Sequence, residues 1–230
     1  MTRVVISQPT YLPWLGYFEL IRRADVFVLL DNVQFSRRSW QCRNRLKGPN
    51  GEPFWLTVPV SHGDRDTELR EIRISPNHDG WAESHLRSIH AALGRAPYFH
   101  ALIGPVETLL RRPHARLVDL NGAGIAVLAG LLGISTPQVL ASELGVSGQR
   151  SELLLRLCQR LGADVYYSPH GSSDYLDEDK HMFQDAGIRV EYQTWEHPVY
   201  PQRGGGFISH LSALDAVANV GPETARSFLG

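Results

Sequence analysis

A strand, a helix and a second strand follow one another within the first 31 residues, and this constrains the fold more than any other feature. Val4-Val5-Ile6 is a β-branched run, the composition of a buried strand. Gln8-Pro9-Thr10-Tyr11-Leu12-Pro13-Trp14 then interrupts regular structure with two prolines, which fix φ and lack a backbone donor. Gly16 to Ala24 reads as a helix, with Leu15, Phe18, Leu20 and Ile21 forming its apolar stripe. Val26-Phe27-Val28-Leu29-Leu30 is continuously apolar up to Asp31, as a strand covered on both faces must be. Two strands joined by a helical crossover lie parallel. The expectation is therefore an α/β fold: a mainly parallel, Rossmann-like sheet with flanking helices.

The remaining chain fits that frame. Residues 55–60 and 71–74 read as strands, with Pro59 near the end of the first, and the charged stretch 61–70 between them as a loop. Helices are expected over 79–93, 98–112, 115–132 and 149–161. A strand follows at 165–168, then a helix at 177–186 closed by Gly187. An alternating strand at 188–193, a Pro/Gly-rich loop at 197–206 and a helix at 208–219 complete the chain. No repeat or low-complexity linker divides it. One α/β domain over residues 1–230 is expected, with a helical insertion at roughly 79–135.

Composition narrows the function classes. A formal net charge of −1 gives no drive toward indiscriminate binding of polyanions, so neither DNA nor a membrane surface is an expected partner. The opening is too short and too soon interrupted for a signal peptide, no apolar stretch has the length of a membrane span, and the cytoplasm is the expected compartment. Cys42 and Cys158 are too few for a disulfide framework, and no HxxxH or HExxH spacing suggests a metal site. Cys158 falls on an apolar helix stripe, while Cys42 and Ser172 remain open as nucleophiles. The cations are 21 Arg and two Lys. Genomic base composition explains such a bias, and so does a need for guanidinium forks, which grip phosphate and carboxylate in bidentate fashion.

Ligands of parallel α/β sheets bind beyond the carboxyl ends of the strands. The polar residues expected there are Gln8 and Tyr11 after the first strand, and Asp31 and Gln34 after the second. His170 and Tyr175 follow the strand at 165–168, and His197, Tyr200 and Gln202 follow the last. Trp14 packs the first loop or faces a ligand. Arg43 and Arg45 alternate, so in an extended segment both guanidinium groups share one side, where Lys47 could join them around an anion. His197 and His170 are candidate general bases, since imidazole exchanges protons near neutral pH. Neither the dinucleotide fingerprint nor the P-loop is present.

These motifs carry a resemblance. The opening Gln8-Pro9-Thr10-Tyr11-Leu12-Pro13-Trp14-Leu15-Gly16-Tyr17-Phe18, then Asp31-Asn32-Val33-Gln34-Phe35, Arg43-Asn44-Arg45, Leu56-Thr57-Val58-Pro59-Val60 and His197-Pro198-Val199-Tyr200-Pro201-Gln202 resemble the WbqC-like protein family across nearly the whole chain. The chain departs from that pattern at Ser168-Pro169-His170-Gly171-Ser172-Ser173-Asp174-Tyr175, where the resemblance leads one to expect Gly after the Ser and a basic residue ahead of Tyr175.

The resemblance implies a small-molecule transferase of bacterial polysaccharide or natural-product biosynthesis, passing an acyl or aminoacyl group to an amine to form an amide. In that reading Arg43, Arg45 and Lys47 hold a phosphate or carboxylate, and Gln8 and Tyr11 orient the substrate. Asp31 or His197 accepts the amine proton, and Tyr200 and Gln202 line the pocket. A carrier- or tRNA-bound donor is a candidate partner, and no cofactor is implied. Two alternatives stay open. One is an adenylate-forming or nucleotidyl-transfer enzyme, although the HxGH motif of such enzymes is missing. The other is a non-catalytic protein that binds a sugar nucleotide or a carrier.

Overall fold

The computed structural model describes residues 1–61 and 66–230, with backbone alone at 173–175. The 61–70 loop thus falls partly outside the described residues. In chain order the elements are β1 (Arg3–Ser7), α1 (Leu15–Arg23), β2 (Val26–Leu29), β3 (Arg43–Lys47), β4 (Pro53–Thr57), β5 (Val60–Ser61) and β6 (Arg73–Ile74). Next come α2 (Trp81–Leu93), α3 (Phe99–Arg111), α4 (Leu117–Leu131), β7 (Gln138–Leu140), α5 (Arg150–Arg160), β8 (Val165–Ser168), α6 (Ser173–Asp185), β9 (Arg189–Tyr192), α7 (Ala213–Val220) and α8 (Pro222–Ser227).

They gather into two compact units. One comprises Met1–Gln8, Glu19–Asn32 and Ser135–Glu196; the other comprises Pro9–Phe18, Val33–Ile134 and His197–Gly230. The helices read from the sequence as an insertion, α2 to α4, belong to the second unit together with a hairpin and the C-terminal helices.

The first unit holds a five-stranded sheet in the order β7-β2-β1-β8-β9, every neighbouring pair parallel. This is the α/β, Rossmann-like architecture that the opening strand–helix–strand dictates. β1 occupies the centre, where Val4 and Val5 are fully buried, and Val26 and Phe27 of β2 lie beside them in register. Burying side chains of this size contributes roughly 1.5–3 kcal/mol each. The order of strands reverses between β1 and β8, so the crevice that such sheets offer to ligands lies outside their carboxyl ends. A buried carboxylate braces the same unit. Glu19 of α1 accepts hydrogen bonds from the Tyr167 hydroxyl at 3.1 Å, Gln193 Nε2 at 2.7 Å and Arg23 Nε at 3.1 Å.

Several boundaries differ from the sequence reading, each for a local reason. β7 is a short edge strand, half-buried throughout, so it has no apolar run to betray it. α6 begins at Ser173 rather than 177, because its first turn is polar and its apolar spacing starts only at Leu176. The strand expected at 55–60 is split at Val58-Pro59 into β4 and β5. α7 begins at Ala213 rather than 208, where the Ser212 side chain caps it by accepting from the Leu214 N–H. α8 follows immediately, opened by Pro222 in its first turn.

In the second unit, two buried asparagines shape the proline loop. Asn44 Nδ2 donates to the carbonyls of Tyr11 and Leu12 at 3.1 and 2.7 Å, and Asn121 Nδ2 donates to those of Pro9 and Gln41 at 3.1 and 2.8 Å. The Asn44 clamp holds Leu12 at φ +43°, which few L-residues adopt. Tyr11 is buried, with its hydroxyl 2.9 Å from Nδ1 of the buried His85, whose Nε2 lies 3.2 Å from the Thr57 carbonyl. A carbonyl only accepts, so Nε2 carries the His85 proton and Nδ1 accepts from Tyr11.

Burial lowers the His85 pKa from 6.5 to about 4. The unfolded chain therefore takes up this proton first. The stability that neutral His85 contributes is complete above pH 6.5 and is lost as pH falls through 4, roughly 3 kcal/mol in total. Asp215 of α7 runs the other way: burial raises its pKa from 3.8 to about 6, so its stabilisation is complete below 3.8 and is lost as pH rises through 6. In a series of urea unfolding midpoints, His85→Gln should gain stability relative to the wild-type protein as pH falls from 6 to 4, because only the wild type loses the His85 contribution. Parallel pH profiles for the two proteins would show that His85 does not carry this linkage.

Candidate anion-binding site

The hairpin of β3 and β4 has two unlike faces, set by side-chain alternation. Asn44 and Leu46 point inward opposite Leu56 and Phe54; Arg43 and Arg45 point outward opposite Thr57 and Trp55. On the outer face the Arg43 guanidinium lies 4.0 Å from the Trp55 ring centroid, and that of Arg45 lies 5.6 Å from both Trp40 and Trp55. Both arginines are half-buried, and among the described residues neither forms an ion pair or a side-chain hydrogen bond. Their Nε atoms are shielded from solvent and donate to nothing described. An unsatisfied buried donor costs about 1–3 kcal/mol, and more on a charged group.

The C-terminal segment runs alongside. The Ser212 N–H donates to the Arg45 carbonyl at 3.0 Å, the Ala213 N–H donates to that of Pro13 at 2.8 Å, and Trp14 bridges Ser212. These bonds bring two imidazoles to the Trp14 indole. His210 lies 4.7 Å from it between centroids, and His197 stacks nearly parallel at 6.1 Å; the two imidazoles are 5.0 Å apart. His210 sits at φ +59°, a left-handed conformation that costs about 1–2 kcal/mol for a residue with a Cβ.

His197 Nδ1 lies 2.8 Å from the Pro198 carbonyl oxygen. It must donate there, which fixes the tautomer and leaves the lone pair on Nε2. Burial lowers the His197 pKa, and the neighbouring His210 lowers it further. His210 is itself depressed by burial and by Arg45. Both imidazoles are thus held neutral, as proton acceptors must be.

The nominated residues divide between the units. Arg43, Arg45, His197 and Trp14 come together as described, and Tyr11, Gln34, Lys47, Tyr200 and Gln202 lie in the same unit. Lys47 is 3% exposed and donates from Nζ to the carbonyls of Gly205 and Gly206, pinning the glycine-rich loop. Tyr11 is engaged with His85. Tyr200 donates to Asp215 at 3.0 Å, and Gln202 uses both ends of its amide on the backbone of Ile208. Gln34 donates to Asp66 at 3.4 Å.

Gln8, Asp31, His170 and Tyr175 belong to the parallel-sheet unit. There Gln8 and His170 are exposed just beyond β1 and β8, beside the strand-order reversal. Asp31 is buried and holds the Ser142 N–H at 2.9 Å and its hydroxyl at 2.6 Å. The Tyr175 side chain lies outside the described residues. Cys42 is buried and desolvation raises its thiol pKa, while burial pushes Cys158 up to about 12; both disfavour a thiolate.

Sequence reasoning passed over His210, Trp40, Trp55 and the two clamping asparagines. The strand period could have placed Trp55 on one face of its strand, but its pairing with Arg45 is set by the hairpin register; His210 carried no spacing signal. A groove of about 590 Å³ in the same unit touches none of the nominated residues. Its Arg111 is paired with Glu83 and Glu107, and its His114 with the Leu109 carbonyl, so those groups are already engaged. Among the described residues no cluster of His, Cys, Asp and Glu could hold a metal ion, and no helix is long and apolar enough to cross a membrane.

Fold and site together define an α/β, Rossmann-like protein with a basic, aromatic hairpin face. Comparison with known proteins is more specific. The WbqC-like protein family matches residues 8–227, and the chain belongs to that family. It is 34% identical over 230 residues to the uncharacterized protein Rv1507c of Mycobacterium tuberculosis, a match covering 97% of this chain and 96% of the relative. No solved structure matches.

Gly16 tests how the indole is placed. A Cβ there would enter the Trp14 ring, while the helical backbone itself favours Ala by about 1 kcal/mol. Gly16→Ala should therefore keep the far-ultraviolet circular dichroism and change the near-ultraviolet signal, as Trp14 leaves the two imidazoles. An unchanged near-ultraviolet spectrum would contradict the packing described.

Proposed function

We propose that this protein is a transferase that moves an acyl or aminoacyl group onto the amine of a small molecule bearing phosphate or carboxylate. One observation carries the reading: two guanidinium groups without a carboxylate partner lie on the same hairpin-and-loop assembly as an imidazole fixed in a base-competent tautomer. Arg43 and Arg45 would bind the anionic group, and Trp14 and His210 would flank the reacting end. The amine nitrogen attacks the acyl carbon, and the new C–N bond forms as the bond to the leaving group breaks. His197 Nε2 takes the amine proton and returns it to the leaving group. A positioned base supplies about 10²–10⁴-fold in rate, and holding both reactants adds to it. Lys47, Tyr11 and Asp31 have no direct part in this reading, because their polar atoms support the fold.

The test offers acyl and aminoacyl donors together with amino-sugar phosphates and detects the amide by mass spectrometry. Arg43→Ala and Arg45→Ala should each raise KM about 10–100-fold with kcat nearly unchanged, as expected when a charge-assisted contact worth about 1.5–3 kcal/mol is lost. His197→Ala should lower kcat by about 10²-fold or more. The wild-type rate should fall only below pH 6.5, because burial and His210 depress the His197 pKa. Turnover untouched by all three substitutions would overturn the proposal.

A further inference from the structure

The outer face of the hairpin has a feature that anion binding does not require. Trp40 and Trp55 are each 43% exposed, in a chain that buries most of its large apolar side chains. Their rings are 5.3 Å apart and tilted by 45°, and the guanidinium groups of Arg43 and Arg45 lie against them. Leaving two indoles half in water forfeits much of their burial energy, and holding cations over a ring face does not require a second exposed indole. The arrangement does suit a ligand with a flat π-system and a negative charge a few ångströms away. Such a ring stacks on an indole or a guanidinium plane, and its phosphate reaches the fork beside it.

Resting on the anion-binding role of Arg43 and Arg45, we infer that the ligand of this face is a nucleotide, its base stacked on Trp40 and its phosphate held by the arginines. That chemistry has two sources: a free nucleotide or nucleotide-linked metabolite, or the single-stranded end of an RNA. A sugar phosphate alone would satisfy the arginines and leave the indoles in water.

Calorimetry on the full chain separates these cases with five probes: inorganic phosphate, ribose 5-phosphate, adenosine, AMP and a short single-stranded RNA. AMP should bind at least about tenfold more tightly than ribose 5-phosphate, the effect of one base–aromatic stack. Trp40→Leu should remove that difference, leaving AMP and ribose 5-phosphate with equal affinity, and Trp40→Phe should restore most of it. RNA binding tighter than AMP binding, with an affinity that falls steeply with salt, would assign the source as an RNA end; otherwise the source is the free nucleotide. Equal affinities for AMP and ribose 5-phosphate, both lost in Arg45→Ala, would overturn the stacking inference and leave the anion site standing. Ribose 5-phosphate and AMP both unaffected by Arg43→Ala and Arg45→Ala would overturn the two together.

Discussion

Everything proposed for the second unit depends on where Asn44 points. Its side chain is buried and fully occupied: Nδ2 serves the Tyr11 and Leu12 carbonyls, and Oδ1 accepts from the Arg45 N–H at 2.7 Å. Replacing it by an apolar residue would strand two buried carbonyls, each costing about 1–3 kcal/mol. With Asn44 fixed inward, the strand period leaves Arg43 and Arg45 no choice but the outer face. The same clamp ties the proline loop to β3, and the Ser212 and Ala213 bonds tie the C-terminal segment to both. One buried amide thereby sets the arginines, the Trp14 loop and the two imidazoles in a common frame.

The sequence was most legible where burial wrote a period into it. β1, α1, β2, α2 to α5, β8 and β9 all have continuous or periodic apolar residues, and each appears within a few positions of its expected place. The parallel sheet followed from a single crossover. Elements without such a signal were hidden: β7 is half-exposed, the first turn of α6 is polar, and α8 is only six residues long. At the site, the Arg43/Arg45 alternation could be read directly, because it needs only the two-residue repeat of a strand. The partnering of His197 with His210 and Trp14 could not, because it depends on bonds between residues far apart in sequence. Nor could the sequence say that Lys47 is walled off by two carbonyls of a glycine-rich loop, although it shares the alternation of Arg43 and Arg45.

The two cation types therefore do different work on one strand. Lys47 is a point charge with three donors, and it suits capping carbonyls that converge from a loop. That loop also packs closely on the β3–β4 turn: Gly51 adopts φ +85° and lies so near the Gly204 carbonyl that a Cβ would collide with it. Arg43 and Arg45 are planar and weakly hydrated, so they tolerate a half-buried place against indoles and still present a fork. Within the parallel-sheet unit the polar residues follow another logic. Asp31 and Glu19 are sealed into hydrogen bonds that hold strand ends and helix together, whereas Gln8 and His170 stay exposed beside the strand-order reversal.

In the proposed reaction, the electrostatics of the basic face would link binding to proton transfer. Arg45 lowers the pKa of His210, and His210 lowers that of His197, in each case by disfavouring a second positive charge. With no anion bound, these effects add to burial and keep both imidazoles neutral but weakly basic. In the proposed reaction, an anion seated on the guanidinium pair would offset the charge of Arg45 and remove that effect from His210. The group proposed to recognise the anion is thus also one whose charge suppresses protonation of the imidazole beside His197.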